Sequence, residues 1–378
     1  MAQSNLPGVT INGNAQISGN PNYTNPSTVC LLAGLDSDPT NGTDTNFWKP
    51  LAWYSNYAVD SYYGSQFNSN GSLNSALSLG AFYAFQGGAN TVIIQPFYTG
   101  SDENTGITLE TALSQIQEKE GINLIVPIGL TSNQLSTVAS SMAQSNSSGY
   151  KRRGIFAVDN NSGTEMSVSD YSSLAQSLNT YEIMLLGNTQ ATSLNGITLP
   201  PSMYACELAG MSEFYGFNTT LTNKTVVGFA NDNTYSNSQL STLIGAGVAC
   251  VSFHGGANVL IEAITTLQGK QLDFSFAGVD NFISDSLMTY YSGYIGKSAT
   301  TTVLLGIKGA TQSFLATQKR NNLISSFSDI SVIQDPAIPT QVDVSFTCTW
   351  LSPIYNVTVN YTFNSSSTTS TTQSNIQQ

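Results

Sequence analysis

The chain has 378 residues, long enough for one large core or two modest ones. Only 9% of its residues are charged, against roughly 25% in an ordinary globular protein. Lys and Arg total 11 against 23 Asp and Glu, a net charge of −12 that argues against a polyanion-binding surface. Asn, Ser, Thr and Gln must then supply the polar surface. Such a surface can associate without stripping ions of their water, which favours an assembling protein.

In chain order, residues 1–27 carry Gly, Pro and Asn at short intervals around one strand-like patch, Pro7-Gly8-Val9-Thr10-Ile11, and read as an extended arm. Val29 to Gly34 is a short apolar strand, and Asp36 to Tyr63 a long polar and aromatic loop. From Ser72, Leu73, Leu77 and Ala81 repeat at helical spacing, with Phe82 and Phe85 widening the stripe and Gly87-Gly88 as the stop. Thr91–Gln95, Asn123–Ile128, Gly154–Val158 and Ile183–Leu186 read as buried strands, with helices near 134–144 and 167–178. Apolar strands alternating with helices predict a mostly parallel sheet.

A second unit is read from near Ser238: a helix to Ala246, a strand over Val248–Phe253, an apolar run over Asn258–Thr266, then helices near 281–294 and 311–319. Gln341–Trp350 alternates cleanly and is expected to form a hairpin with the last alternating stretch, Pro353–Phe363. On that stretch Tyr355, Val357, Val359, Tyr361 and Phe363 share one face, an apolar edge that must find a partner. The Ser/Thr/Asn/Gln run from Asn364 reads as disordered. The expected division is an arm over 1–27, an α/β domain over 28–235, an α+β domain over 236–350, and a strand arm with tail over 351–378.

Motifs for chemistry are sparse. Cys30, Cys206, Cys250 and Cys348 are far apart and read as buried thiols. His254 is the single histidine, so a multi-histidine metal site is excluded, and His254-Gly255-Gly256 reads as a turn because no G-x-S-x-G elbow accompanies it. Gly296-Lys297-Ser298 lacks the first glycine of a phosphate loop, and Gly245-Ala246-Gly247 reads as a helix end. Asp36, Asp38 and Asp44 surround a Pro-containing loop out of register for an EF-hand. Lys151-Arg152-Arg153, the one basic cluster, is read as the start of a strand or a subunit contact. No cofactor or metal is expected. The start shows no secretory signal, no run is long enough to span a bilayer, and the sequons at Asn22, Asn41, Asn218, Asn223, Asn356 and Asn360 are expected by chance at this composition.

Several segments, in order, resemble the contractile tail sheath proteins of bacteriophages, R-type tailocins and related contractile injection systems. They are Pro7-Gly8-Val9; Pro50-Leu51-Ala52-Trp53-Tyr54-Ser55; Tyr63-Gly64; Leu73–Gly88 with Thr91-Val92-Ile93-Ile94; Gly247-Val248; Leu260–Thr266; Asp280–Gly296; and Asp335-Pro336 to Phe363. The chain departs from the family in its scarcity of charge and in Gln95-Pro96, where many sheaths place an arginine. The resemblance implies an outer α/β domain and an inner α+β domain facing a tail tube. It implies arms, here Pro7–Ile11 and Tyr355–Phe363, that add strands to neighbours' sheets, in hexameric rings stacked around the tube. Partners would be further copies, the tube, and baseplate and tail terminator proteins, without nucleic acid, membrane insertion or enzymatic activity. Its place would be a virion tail or an injection-system particle. Two other classes fit parts of the sequence: a surface or appendage glycoprotein, from the sequons and neutral surface, and an α/β enzyme, from the strand–helix alternation.

Overall fold

The computed structural model describes residues 28–35, 44, 46–99, 106–117, 119–159, 165–232, 234–355 and 360. The first half contains β1 (Thr28–Leu35), β2 (Leu51–Trp53), α1 (Asn56–Tyr63), α2 (Ala76–Gly87), β3 (Val92–Tyr98), α3 (Leu109–Gln117), β4 (Ile122–Ile128), α4 (Ser132–Ser147), β5 (Arg153–Ala157), α5 (Val168–Leu178) and β6 (Ile183–Leu186). The second half contains β7 (Ala191–Thr192), β8 (Thr198–Leu199), α6 (Ser202–Tyr215), α7 (Asn237–Gly245), β9 (Val248–Ala249), β10 (Val251–His254), β11 (Ala257–Leu260), α8 (Ser275–Ser292), α9 (Thr301–Arg320), β12 (Ser326–Gln334) and β13 (Val342–Thr349).

The main sheet runs β2-β3-β1-β4-β5-β6-β9, parallel except for β2 at one edge. Val29, Leu31 and Ala33 of β1 point into a core shared with α2 and α6, whereas Cys30 and Leu32 join a second core with α3, α4, α5 and α7. Both faces are covered, which is why the strands are largely apolar on both sides. The chain reverses direction across β1, so helices must lie on both faces. The edge strand β9 draws the main sheet across the boundary read at 235/236.

Local chemistry sets the helix ends. Ser167 Oγ accepts from Asp170 N at 3.2 Å while Asp170 Oδ2 accepts from Ser167 N at 2.9 Å, and Ser236 with Gln239 repeats this reciprocal cap at α7. Gly88, at φ +108°, closes α2 by donating to the Ala84 and Phe85 carbonyls.

Four features differ from the sequence reading. The expected loop over 36–63 contains β2 and α1, the latter capped by Ser55 and pinned by Tyr62 and Tyr63 against Trp53 and Phe47. The α3 helix supplies Leu109, Ala112, Leu113 and Ile116 to the second core. The unexpected α6 is buried at every residue from Ser202 to Ser212, so no polar face marks its period. Finally, β13 pairs with β12, a strand absent from the sequence reading: Phe327 faces Cys348 and Val332 faces Val344. Residues 351–355 form no strand, and 356–359 and 361–378 lie outside the described residues. A bulge at Asp329, φ +56°, breaks the alternation of β12 and hides it from a period-two reading.

The α2–α6 contact is backbone on backbone. A Cβ at Gly210 would lie 2.0 Å from the Ala84 carbonyl oxygen, and one at Gly87 would lie 2.2 Å from that of Glu207. The Glu207 side chain is 1% exposed; one carboxyl oxygen accepts from Val227 N at 2.7 Å and the other has no partner. Burial pushes its pKa to about 8 and those of Asp159 and Asp285 to about 6. All three bind protons more tightly folded than unfolded, so their stability contribution is complete below the usual carboxylate pKa and is lost as pH rises through about 6 to 8. Thermal melts should therefore show a higher melting temperature near about pH 5 than near about pH 8.5, and Glu207→Gln should recover about 2 kcal/mol at the alkaline end. A wild-type melting temperature flat across that range would contradict it.

Candidate assembly surface

Beyond the main sheet, α8, α9, β12 and β13 form a smaller unit. Leu287 of α8, Phe314 and Leu315 of α9, and Ile324 make its buried centre, and Phe327, Ile330, Phe346 and Cys348 of the hairpin pack on it. Val342, Val344, Phe346, Cys348 and Trp350 do share the covered side, as their alternation predicts, while Asp343, Ser345 and Thr347 face solvent. A two-stranded sheet is marginal by itself, and α9 supplies the cover on one face. Among the described residues neither β12 nor β13 has a second strand neighbour, so each carries a row of main-chain donors and acceptors along its outer edge. The β13 edge is regular over Val342–Thr349, whereas the β12 edge is interrupted by the Asp329 bulge.

Past β13 the chain returns to the main body. Trp350 is 4% exposed and meets Phe276 edge-on at 5.1 Å, inside a cluster with Phe217, Leu272, Val279 and Leu323. The Tyr355 hydroxyl donates to Asp273 Oδ2 at 2.9 Å. Of the strand-exchange residues read from the sequence, Tyr355 is the one described; Pro7, Gly8, Val9, Thr10, Ile11, Val357, Val359, Tyr361 and Phe363 lie outside the described residues. The Asp273 partner was not legible in the sequence, since a lone acid in an apolar run carries no motif.

Charge is unevenly placed. Residues 286–328 hold Lys297, Lys308, Lys319 and Arg320 and no Asp or Glu, so this stretch is +4 while the rest of the chain sums to −16 against an overall −12. All four cations are exposed, and Leu305 on the same helix as Lys308 is 64% exposed.

The Lys151-Arg152-Arg153 cluster begins a strand, as read, but it is not a subunit contact on a free surface: all three residues are buried. Arg152 donates to the carbonyls of Ile116, Lys119 and Ile122, capping the end of α3 where carbonyls lack helical partners. Arg153 donates to Phe217 O at 3.2 Å and Ser212 Oγ at 2.9 Å and lies 5.0 Å over the Phe274 ring. Its burial lowers the guanidinium pKa to about 10, partly offset by Asp273. Across the same junction Tyr181 donates to Asp280 Oδ2 at 3.0 Å.

The crevice of the parallel sheet, where doubly wound folds bind ligands, is closed by the protein itself. Asp159 Oδ2 accepts from Gly129 N at 2.6 Å, and its Oδ1 accepts from Ser202 N at the start of α6 at 3.1 Å. These are the amides a phosphate would use. A polar cavity of about 170 Å³ lies beside Tyr204 and Asp232, whose carboxylate already accepts from Asn188, Tyr204 and Thr234. Gly255 and Gly256, at φ +62° and +94°, form the two-residue turn between β10 and β11, and Gly247 follows the end of α7, as expected. Cys30, Cys206 and Cys250 are free and buried, and Cys348 is free and half-buried. Asp44 binds Tyr62 and Asn46 internally; Asp36 and Asp38 lie outside the described residues. No group of three His, Cys, Asp or Glu that could hold a metal occurs among the described residues, and no described helix is long and apolar enough to cross a membrane.

No family model matches the chain. A tail sheath protein of Mycobacterium phage Bxz1 is 22% identical over 331 residues, covering 84% of this chain; the chain spans 57% of that relative's length. Among solved structures, a chain of the contracted helical sheath of the anti-feeding prophage superposes with a TM-score of 0.66 at 12% identity, covering 95% of this chain and 99% of that one. A contracted sheath complex of the extracellular contractile injection system PVC gives 0.67 at 12% identity, over 96% and 98% of the two chains. The sheath tail protein of Desulfitobacterium hafniense gives 0.62 at 11% identity, over 90% and 99%. The fold of this chain is that of contractile sheath subunits.

The smaller unit depends on few buried side chains, of which Leu315 is fully buried. Leu315→Ala should cost about 3 kcal/mol, and the loss should appear first as faster amide exchange in β12 and β13 while the main-sheet amides keep their protection. Uniform loss across both units would show that they unfold as one.

Proposed function

We propose that this chain is a structural subunit of a contractile tail sheath, polymerising as stacked rings around a tail tube and shortening to drive that tube through a target envelope. The observation that carries this reading is the match in fold to sheath subunits along nearly the whole chain. The ion-poor surface supports it, because large neutral contacts between copies form without desolvating charges.

In this reading the main-sheet body, which takes in α7 and β9 from beyond the 235/236 boundary, forms the outer domain, and the unit of α8, α9, β12 and β13 the inner one. The β12–β13 hairpin offers main-chain edges to a neighbour's Pro7–Ile11 and to another neighbour's strand over Tyr355–Phe363. Strand addition needs no ions and keeps the mesh connected while globular domains rearrange. The α8–α9 tip, the positive end of an acidic protein, faces the tube, which complementarity requires to be acidic there. Baseplate and tail terminator proteins close the two ends, on a phage tail or an injection-system particle. Contraction follows from different contacts in two packings of one sequence, and the subunit itself is not an enzyme and needs no cofactor.

Negative-stain microscopy of the purified protein should show striated tubes or six-fold rings. Deleting residues 1–11, or everything from Asn356 onward, should leave a folded body that forms neither; tubes from either truncation would refute strand exchange. Charge reversal at Lys308 and Lys319 should leave self-assembly intact but weaken capture of the co-expressed tube protein about tenfold or more, with a shallower salt dependence. Unchanged capture would place the tube contact elsewhere.

A further inference from the structure

We infer that Asp273 is the mooring of the C-terminal segment: by holding the Tyr355 hydroxyl, it fixes the point on the body from which that segment leaves. The inference rests on the sheath reading for its consequence in assembly, and on geometry alone for the mooring.

The carboxylate is 1% exposed and fully engaged. Its Oδ1 accepts from Ser275 N at 2.8 Å and Ser275 Oγ at 2.5 Å, which ties it to the start of α8. Its Oδ2 accepts from Thr220 Oγ1 at 2.5 Å, Thr222 Oγ1 at 3.5 Å and Tyr355 OH at 2.9 Å. Every donor but one belongs to the folded body. Tyr355 alone arrives from the far end of the chain, 82 residues away in sequence. Ile354 beside it is 81% exposed, so apolar packing of its neighbour does not hold this stretch down. A charge-assisted hydrogen bond in a site closed to water does.

The mooring sets reach. From Tyr355, the eight residues 356–363 can span at most about 26 Å when fully extended. Without it the next fixed point is Trp350, and five further residues add about 16 Å. Lengthening the tether from eight to thirteen residues lowers the effective concentration of its tip at a neighbouring edge about twofold. Asp273 therefore keeps the segment short and aimed.

The test compares wild type with Tyr355→Phe, which keeps the ring and the chymotrypsin site while removing the donor. Circular dichroism melts establish that the body is folded. Chymotryptic cleavage after residue 355 should be about tenfold faster in the variant, and polymerisation at equal concentration about twofold or more slower. Equal cleavage rates would overturn the mooring. Faster cleavage with unchanged polymerisation would overturn its role in aiming the segment. A wild-type chain that never polymerises would count against the sheath reading, and the cleavage comparison would still decide the mooring.

Discussion

The guanidinium of Arg153 joins every part of this molecule. It enters from the first residue of β5, is 2% exposed, and binds Ser212 of α6, the Phe217 carbonyl and the face of Phe274 just before α8. Burying a cation is costly unless its donors are matched and a counter-charge is near. Here the counter-charge is Asp273, which also caps the start of α8 and holds Tyr355. Arg153 thus ties β5 to α6 and to the approach to α8, and Asp273 ties that same approach to Tyr355. Gly278 shows how close the fit is: a Cβ there would lie 2.2 Å from the Phe217 carbonyl oxygen.

That arrangement makes sense of the composition. The protein has few charges, and it buries several of them: Arg152 caps α3, Asp159 bridges the β4 turn and α6, and Glu207 lies between helices. Inside, Arg152 and Asp159 each organise several backbone groups at once. Outside, amides and hydroxyls supply most of the polar surface, and the α8–α9 tip gathers four exposed cations. The buried polar contacts hold the body together, while an ion-poor exterior loses little solvation on association.

The sequence made some of this legible and concealed the rest for identifiable reasons. The strands β1, β3, β4, β5 and β6 announced themselves because burial on both faces demands a largely apolar run. The helix α5 begins where its apolar spacing placed it, at the cap of Ser167 and Asp170, whereas α7, read from near Ser238, starts behind the cap of Ser236 with Gln239. By contrast, α6 has no polar face to give it a period, and β12 is put out of phase by Asp329. The basic cluster was misread as a possible subunit contact because a motif shows charge but not direction, and Arg152 points inward at carbonyls more than thirty residues away. Tyr355 stood out through the alternation around it, whereas Asp273 became visible only once the fold brought Thr220, Ser275 and Tyr355 to one carboxylate.

A subunit that must change its neighbours' positions without letting go of them needs rigid attachment points as well as flexible connectors. Flexibility in the connector is easy to encode: polar, low-complexity sequence suffices. Rigidity at its root is harder, because the last strand before a free end tends to fray. Here the root is held twice, by Trp350 in an aromatic cluster and by Tyr355 on a buried carboxylate. The second contact reaches past the hairpin to the carboxylate that holds the start of α8. The chain at Tyr355 is therefore fixed to a buried carboxylate at the start of α8, and not only to the end of a two-stranded sheet, whose few hydrogen bonds would peel one at a time.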